Sequence, residues 1–261
     1  MKKNMASRAI EILREEGIRS FSSKASAYIA DHITNYVGKR VGVFALPYAL
    51  LRIRGLNRDC TLDELVDFTL NDCAGLIKPG QVQSEVSELL QMINRMKPKV
   101  ILEIGTANGG TLFLFSRVAS EGATVISIDL PGGRFGGGYA AWRTLLYKSF
   151  ALPGRRVCLL RADSHEGDTL EQVKAILGER EIDFLFIDGD HRYEGVKRDF
   201  EMYSPSVRKG GIVAFHDIVP HPSESLCEVS KLWGEVKLRY NHLELVKDQS
   251  QDWAGIGIIY M

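Results

Sequence analysis

The sequence lacks the features that mark secreted, membrane-spanning or nucleic-acid-binding proteins. Its four cysteines have no C-x-x-C spacing, which excludes a disulfide framework and indicates reduced thiols in a cytoplasmic protein. The longest apolar run near the N-terminus, residues 41–51, contains Gly42 and Pro47 and is too short to cross a bilayer. Residues 1–17 alternate charged and apolar side chains at helical spacing, unlike a signal peptide. The formal net charge is zero, so the composition indicates no nucleic-acid partner.

The charge that is present is unevenly distributed. Residues 1–58 hold eleven Lys and Arg against four Asp and Glu, a net charge of +7 that leaves −7 for the remainder. Apolar stripes over residues 5–16 and 25–37 predict two amphipathic helices. We expect residues 1–80 to be a basic helical extension that packs on the main domain or across a homo-oligomer. Peripheral binding of residues 1–58 to an anionic membrane or polymer is the alternative.

A short apolar strand and a glycine turn organise the chain after residue 80. Residues 100–104 form a β-branched run typical of a buried parallel strand, and an apolar pattern typical of a helix follows the turn. Glycines let a backbone approach a ligand, and a helix start offers free N–H groups, so this arrangement is typical of a nucleotide-cofactor site. The order Glu103-x-Gly105-x-x-x-Gly109 differs from the G-x-G-x-x-G fingerprint of dinucleotide-binding proteins.

Strands and helices alternate along the rest of the chain. A capping box at Thr61 and Glu64 predicts one helix, and an apolar face over residues 82–96 predicts a second, which Pro98 ends. Further strands are predicted at residues 124–129, 156–161, 183–188 and 211–215, with a final antiparallel pair at 243–246 and 255–260. This order predicts an α/β fold with a doubly wound, seven-stranded, mostly parallel sheet.

Polar residues stand at the carboxyl ends of four of these strands: Asp129, Asp163, Asp188 and the pair His216-Asp217. Asp is common in turns, but four strand ends in succession are hard to assign to turn chemistry alone. Ligands of open α/β sheets bind beyond the carboxyl ends of the strands. We therefore expect these side chains to line one site.

The pattern resembles the class I S-adenosylmethionine (SAM) methyltransferase family over residues 81–261, the predicted catalytic domain. The resemblance implies a Rossmann-like methyltransferase fold with SAM as cofactor. In that family the acid after the second strand accepts hydrogen bonds from the ribose, and the residue after the third strand contacts the adenine. Carried over to this sequence, the cofactor-binding residues are Glu103, Gly105, Thr106, Gly109, Asp129, Leu130, Asp163, Ser164 and Asp188.

Residues 186–200 and 210–217 resemble a subgroup that includes sugar and macrolide O-methyltransferases and cephalosporin hydroxylase-like proteins, and that is related to metal-dependent catechol O-methyltransferases. The resemblance implies a divalent cation, Mg²⁺ or Mn²⁺, held by Asp188, His216 and Asp217. His216 departs from the oxygen ligands of the catechol enzymes, because imidazole suits Zn, Fe, Mn or Ni better than Mg²⁺. Either the cation is not strictly Mg²⁺, or His216 orients a ligand and Asp190 completes the set.

The chemistry of methyl transfer points to a base. A sugar hydroxyl is a poor nucleophile at neutral pH, so a cation that lowers its pKa and a base that removes its proton both promote attack. His191 is the candidate base, with Asp188 beside it as the second catalytic residue; an Asp-x-x-His order resembles the macrolide sugar O-methyltransferases. The alternative for His191 is a loop histidine packed on Tyr193.

The glycine-rich residues 130–139 are predicted to close over the cofactor or substrate through Arg134, Phe135 and Tyr139, and Trp142 and Arg143 open the next helix. Together these features predict a cytoplasmic SAM-dependent O-methyltransferase that acts on a sugar, a glycan or a glycosylated small molecule.

Three other interpretations of the function stay open. An aminopropyltransferase or a non-catalytic SAM-binding protein would use the same fold. A nucleic-acid methyltransferase has only the +7 segment in its favour. The glycine spacing disfavours an NAD-dependent dehydrogenase.

Overall fold

The structure, a computed structural model, describes residues 42–132, 138–222, 225–248 and 250–261. The chain separates into two compact units, Met1–Leu46 and Pro47–Met261, and the second carries every element below. The helices predicted over residues 5–16 and 25–37 lie outside the described residues. Within the described ranges, no helix combines the length and apolar character needed to cross a membrane.

Seven strands form one sheet. They are β1 (Val100–Ile104), β2 (Thr124–Asp129), β3 (Arg156–Arg161), β4 (Ile182–Ile187), β5 (Val207–His216), β6 (His242–Leu245) and β7 (Ile256–Tyr260). Their order across the sheet is β3-β2-β1-β4-β5-β7-β6. All neighbours are parallel except β7, which is antiparallel to β5 and to β6. The predicted doubly wound, mostly parallel sheet is therefore confirmed.

Helical residues at the start of the described chain (42–55) are followed by seven α-helices in the described part of the second unit. They are α1 (Leu62–Asn71), α2 (Gln83–Met96), α3 (Gly110–Val118), α4 (Arg143–Lys148), α5 (Gly167–Leu177), α6 (Tyr193–Tyr203) and α7 (Val229–Val236). The first two precede β1, and the other five connect strands. The predicted capping box opens α1: the Glu64 N–H donates to Thr61 Oγ1 at 3.2 Å, and the Thr61 N–H donates to Glu64 Oε2 at 2.7 Å.

Helices cover both faces of the sheet because successive side chains of a buried strand point to opposite sides. Phe184 and Phe186 of β4 face α3, where both rings contact Phe115. Leu185 and Ile187 of the same strand join the core that α5, α6 and α7 cover. Helices α1 and α2 pack on each other and on α3. The division predicted after residue 80 stays a prediction.

Candidate active site

The carboxyl ends of β1, β2, β4 and β5 open into one cleft of about 720 Å³, a size typical of small-molecule sites. Nearly all of the predicted site residues line it: Gly105, Thr106, Gly109, Asp129, Leu130, Asp163, Ser164, Asp188, His191, His216 and Asp217. These residues are far apart in sequence. The parallel topology brings them together, because parallel strands end at the same edge of a sheet.

The glycine turn after β1 is shaped by the protein's own packing. Gly105 has a φ of +95°, and a Cβ there would lie 1.9 Å from the Asp188 carbonyl oxygen. Gly109, with a φ of +78°, precedes α3, and a Cβ there would lie 2.6 Å from the Tyr147 ring. The turn also pairs with the end of β4, since the Asp188 N–H donates to the Ile104 carbonyl at 2.8 Å. Both glycines are needed to bring these backbones together.

Asp129 is held by main-chain donors. Its Oδ2 accepts from the Ala107 N–H at 2.7 Å, and its Oδ1 accepts from the N–H groups of Leu130 and Gly138 at 2.7 and 2.8 Å. Burial raises the pKa of this carboxyl, while these hydrogen bonds act in the opposite direction. Asp129 therefore joins the glycine turn to both ends of the glycine-rich segment.

Glu103 lies beneath the turn and does not line the cleft, unlike the other predicted cofactor residues. Its Oε2 accepts from Ser127 Oγ at 2.9 Å, and Ser127 Oγ lies 2.5 Å from Thr106 Oγ1. Burial raises the pKa of Glu103 to about 8. Its Oε1 has no hydrogen-bond partner among the described residues. The carboxyl group thus supports the turn from below.

The end of β3 is organised by His165, which the sequence reasoning did not single out. Asp163 Oδ1 accepts from the His165 N–H at 2.9 Å. The ring of His165 lies 3.3 Å from the buried carboxylate of Asp199, which is the main reason that the pKa of His165 is raised. The Ser164 carbonyl accepts from Tyr203 Oη at 2.7 Å. This part of the cleft is therefore fixed by contacts with α6.

Three histidines and two aspartates face one another at the ends of β4 and β5. His216 Nδ1 lies 3.2 Å from an oxygen of Asp188 and 3.2 Å from an oxygen of Asp217. His191 lies 3.4 Å from each of the same two carboxylates, and His221 Nε2 lies 3.3 Å from Asp217. We call these five residues the acid–histidine cluster.

Four members of the acid–histidine cluster act on one another's pKa values. Burial disfavours the ionised forms of Asp188, His191, His216 and Asp217, yet their mutual attraction outweighs it. The pKa of His216 is raised well above its usual value, and the pKa values of Asp188 and Asp217 are lowered. His191 is 37% exposed, and the same two acids raise its pKa against the effect of burial. The site therefore concentrates negative charge beside ring nitrogens.

The donor set fits a cation. Asp188, His216 and Asp217 each offer one ligand atom, and these atoms all lie within 4.8 Å of one another. In the part of the chain that the structure describes, Nε2 of the buried His216 has no hydrogen-bond partner. Asp190 lies outside this group because its carboxylate pairs with the Arg192 guanidinium. One nitrogen and two carboxylates suit Mn²⁺, Fe²⁺ or Zn²⁺ as well as Mg²⁺.

Two supporting contacts come from α2 and the chain before it, and local sequence patterns gave no signal for either. Gln81 Nε2 donates to Asp188 Oδ2 at 2.7 Å. Glu85, which is buried, accepts from the N–H groups of Lys247 and Gly255, each at 3.0 Å. It thereby fixes the connection between β6 and β7, which places the half-exposed Trp253 at the cleft.

The glycine-rich segment is only partly described. Arg134 and Phe135 lie outside the described residues. Tyr139 does not line the cleft as predicted: it is 2% exposed and packs on Tyr147, with the ring centroids 4.9 Å apart. Arg143 opens α4 as predicted, and its Nη1 donates to the Leu76 carbonyl at 2.7 Å. Interior packing explains why Tyr139 is buried, because its ring packs on the Tyr147 ring of α4.

Comparison with known proteins agrees with this architecture. Residues 102–218 match the family described as a methyltransferase domain. An O-methyltransferase from Bacillus cereus in complex with SAH has a TM-score of 0.52 at 18% identity, over 88% of this chain and 97% of that one. CalS11, a TDP-rhamnose 3′-O-methyltransferase, has a TM-score of 0.50 at 19% identity, over 76% and 92%.

Curated sequences match only in part. The mimivirus protein R132 (Acanthamoeba polyphaga mimivirus) is 56% identical over 36 residues, or 14% of this chain. In two of the curated relatives, this protein R132 and protein y4gI of Sinorhizobium fredii, the aligned parts make up only 16% and 14% of the relative's length. Residues 102–218 therefore resemble a methyltransferase domain, and the described part of the chain has a Rossmann-like methyltransferase fold, as the sequence predicted.

Proposed function

We propose that this chain is a SAM-dependent O-methyltransferase that uses a divalent cation and methylates a hydroxyl of a sugar, a glycan or a glycosylated small molecule. One observation carries the proposal: the same cleft is lined by two groups of residues. The glycine turn and Asp129 lie at the ends of β1 and β2, and the acid–histidine cluster lies at the ends of β4 and β5. The sugar class has further support in CalS11, a structural neighbour described as acting on TDP-rhamnose.

The cofactor would lie against the first half of the cleft. Asp129 is held at its edge by three main-chain N–H groups, and Oδ2, which accepts one of them, keeps a lone pair free to accept from a ribose hydroxyl. Asp163 and Ser164 would face the adenine, while Gly105, Thr106, Gly109 and Leu130 shape the wall. Glu103 would act from beneath by fixing Thr106 through Ser127. When bound, SAM supplies the electrophilic methyl group.

Asp188, His216 and Asp217 would hold the cation. A bound divalent ion supplies positive charge that lowers the pKa of an acceptor hydroxyl. Their mutual attraction holds these side chains close together before any cation arrives. Gln81 fixes the second oxygen of Asp188, so the carboxylate can turn only at the cost of that bond.

His191 would accept the proton of the attacking hydroxyl. It is the most exposed ring of the Asp188–His191–His216–Asp217 group, and it lies on the cleft wall. Asp188 and Asp217 orient the ring and stabilise the imidazolium that forms when it takes a proton. The neighbouring backbone is fixed as well, because the His191 carbonyl accepts from the Glu228 N–H at 2.7 Å.

Calorimetry with SAM tests the cofactor half, on the wild type and on Asp129→Ala. We expect binding that the substitution weakens by about two orders of magnitude, as loss of a charged acceptor costs about 2–3 kcal/mol. Glu171→Gln is the matched control, since Glu171 is 69% exposed on α5. Transfer of labelled methyl from SAM to a panel of nucleotide sugars and glycans then tests the reaction. Absence of SAM binding to folded protein would overturn the proposal in favour of an aminopropyltransferase or a non-catalytic protein.

A further inference from the structure

A second donor group lies beside the Asp188–His216–Asp217 group. His191, Asp217 and Cys227 each offer one ligand atom, and these atoms also lie within 4.8 Å of one another. We infer that these three side chains form a second binding site, which shares Asp217 with the first, for a thiophilic cation such as Zn²⁺ or Cd²⁺, and that its occupancy inhibits the enzyme by engaging His191. The inhibition part rests on the proposed function, and the binding part does not.

The chemistry of the two groups differs. The first offers one nitrogen and two carboxylates, a set that accepts Mg²⁺ as well as Mn²⁺, Fe²⁺ or Zn²⁺ and contains no sulfur. The second offers one nitrogen, one carboxylate and one thiol, the mixed donor set that Zn²⁺ prefers. A thiol bound to such a cation gives its proton to solvent and coordinates as the thiolate. Three protein ligands leave a fourth tetrahedral position for water.

The backbone places Cys227 next to His191. The residue after Cys227, Glu228, donates its N–H to the His191 carbonyl at 2.7 Å. Its carboxylate in turn accepts from the Tyr193 N–H at 3.2 Å. Two hydrogen bonds therefore tie the segment before α7 to the start of α6, so the thiol and the imidazole are held together before any cation binds.

Asp217 is also fixed in place. Its φ of +63° lies in the left-handed region, which is unfavourable for a residue with a side chain. The following residue donates its N–H to the Gly255 carbonyl at 3.3 Å. Asp217 Oδ2 lies 3.4 Å from His191 Nδ1. Two ligands of one tetrahedral Zn²⁺ lie about 3.3 Å apart, so this pair needs little movement to bind one ion.

The two groups share Asp217, and this connects them. Its Oδ1 faces His216, and its Oδ2 faces His191. A thiophilic cation at His191 and Cys227 takes the imidazole lone pair that the proposed base needs. Occupancy of the second site therefore removes the proton acceptor, while the ligands Asp188 and His216 of the first site remain in place.

Cd²⁺ titration of the metal-free full chain, followed by ultraviolet absorption, tests binding. We expect a cadmium–thiolate charge-transfer band that saturates near one equivalent in the presence of excess Mg²⁺. Cys227→Ser should abolish the band, and His191→Gln should weaken binding at least about tenfold. Cys158→Ser is the control, because Cys158 lies in β3, on the far side of β2 and β1 from β4. A band that persists in Cys227→Ser, or no band in the wild type, overturns the site.

Inhibition is tested separately, as the ratio of methyl transfer with and without Zn²⁺ at saturating Mg²⁺. In the wild type, Zn²⁺ should lower the rate of methyl transfer at least about tenfold. In Cys227→Ser, the rates with and without Zn²⁺ should be nearly equal. Equal inhibition of both proteins overturns the link between the site and His191. The cadmium band is read without SAM or acceptor, so its failure leaves the proposed function intact. Failure of SAM calorimetry leaves the cadmium result intact.

Discussion

The two halves of the cleft are held in different ways. At the ends of β1 and β2, three main-chain N–H groups fix Asp129, and these bonds need no other charged side chain. At the ends of β4 and β5, side chains face side chains: His216 lies 3.2 Å from both Asp188 and Asp217. Main-chain hydrogen bonds therefore hold the first half in place, whereas attraction between charged side chains holds the second. Variants that remove charge should affect the second half most.

The largest effect is expected for Asp188→Asn. The substitution keeps the size of the side chain but removes the negative charge that faces His191 and His216, and one proposed cation ligand. Methyl transfer should fall about a thousandfold, because the cation and the base are both disturbed. Initial rates and bound metal, measured on the same samples, check this. Glu171→Gln should match the wild type in both, and rates of Asp188→Asn within threefold of the wild type would contradict the proposed role.

The next largest effect is expected for Asp129→Asn, in the half of the cleft that main-chain hydrogen bonds hold in place. Asp129→Asn should weaken SAM binding nearly as much as Asp129→Ala, about a hundredfold. An amide has one acceptor oxygen, whereas the N–H groups of Ala107, Leu130 and Gly138 approach both oxygens of the carboxylate. Calorimetry gives the affinity, and cadmium binding at Cys227 should stay unchanged. Wild-type affinity in Asp129→Asn would show that this carboxylate is not part of the SAM site.

What could be predicted from the sequence depended on whether a feature is set by the local sequence pattern or by contacts between distant segments. The bounds of β2 and β3 agree with the prediction because each apolar run stops at a polar residue. Strand β5 was predicted at residues 211–215 but spans Val207–His216. Its register to β4 is irregular between Ile182 and Phe184, and Gly210 and Gly211 interrupt the apolar pattern there. A local pattern cannot show a strand that continues through such a bulge.

The residues of the candidate site divide in the same way, into those that a local pattern indicates and those that it does not. That Asp188, His216 and Asp217 lie close together could be predicted, because they stand at the ends of neighbouring parallel strands. Gln81 could not, because it reaches Asp188 across 107 residues of sequence. Nor could the orientation of Glu103, which is set by Ser127 on the neighbouring strand. Contacts between segments distant in sequence depend on tertiary packing, which one sequence does not display.

A moderate effect is expected for Glu103→Gln, read as stability against pH. The pKa of Glu103 is about 8 in the folded protein, above its ordinary value of 4.5. The folded state therefore binds more protons between these values, and stability is lost as pH rises through them. From about pH 5.5 to 7 the wild type should lose about 2 kcal/mol relative to Glu103→Gln. Urea unfolding at several pH values measures this. A constant difference between the two proteins would mean that Glu103 is ionised when folded.

The smallest effect is expected for Glu85→Gln. The buried Glu85 carboxylate accepts from the N–H groups of Lys247 and Gly255 and from Gln251 Nε2 at 2.9 Å. An amide can satisfy only part of this set, so the substitution should cost about 1–2 kcal/mol. Because the bonds hold the connection that carries Trp253, hydrogen exchange should speed up at residues 247–255 and not in β1. SAM affinity should stay within twofold, since β1, β4 and β5 lie between β7 and β2, the strand that carries Asp129. Faster exchange throughout the sheet would show that Glu85 serves overall stability rather than the local position of the connection that carries Trp253.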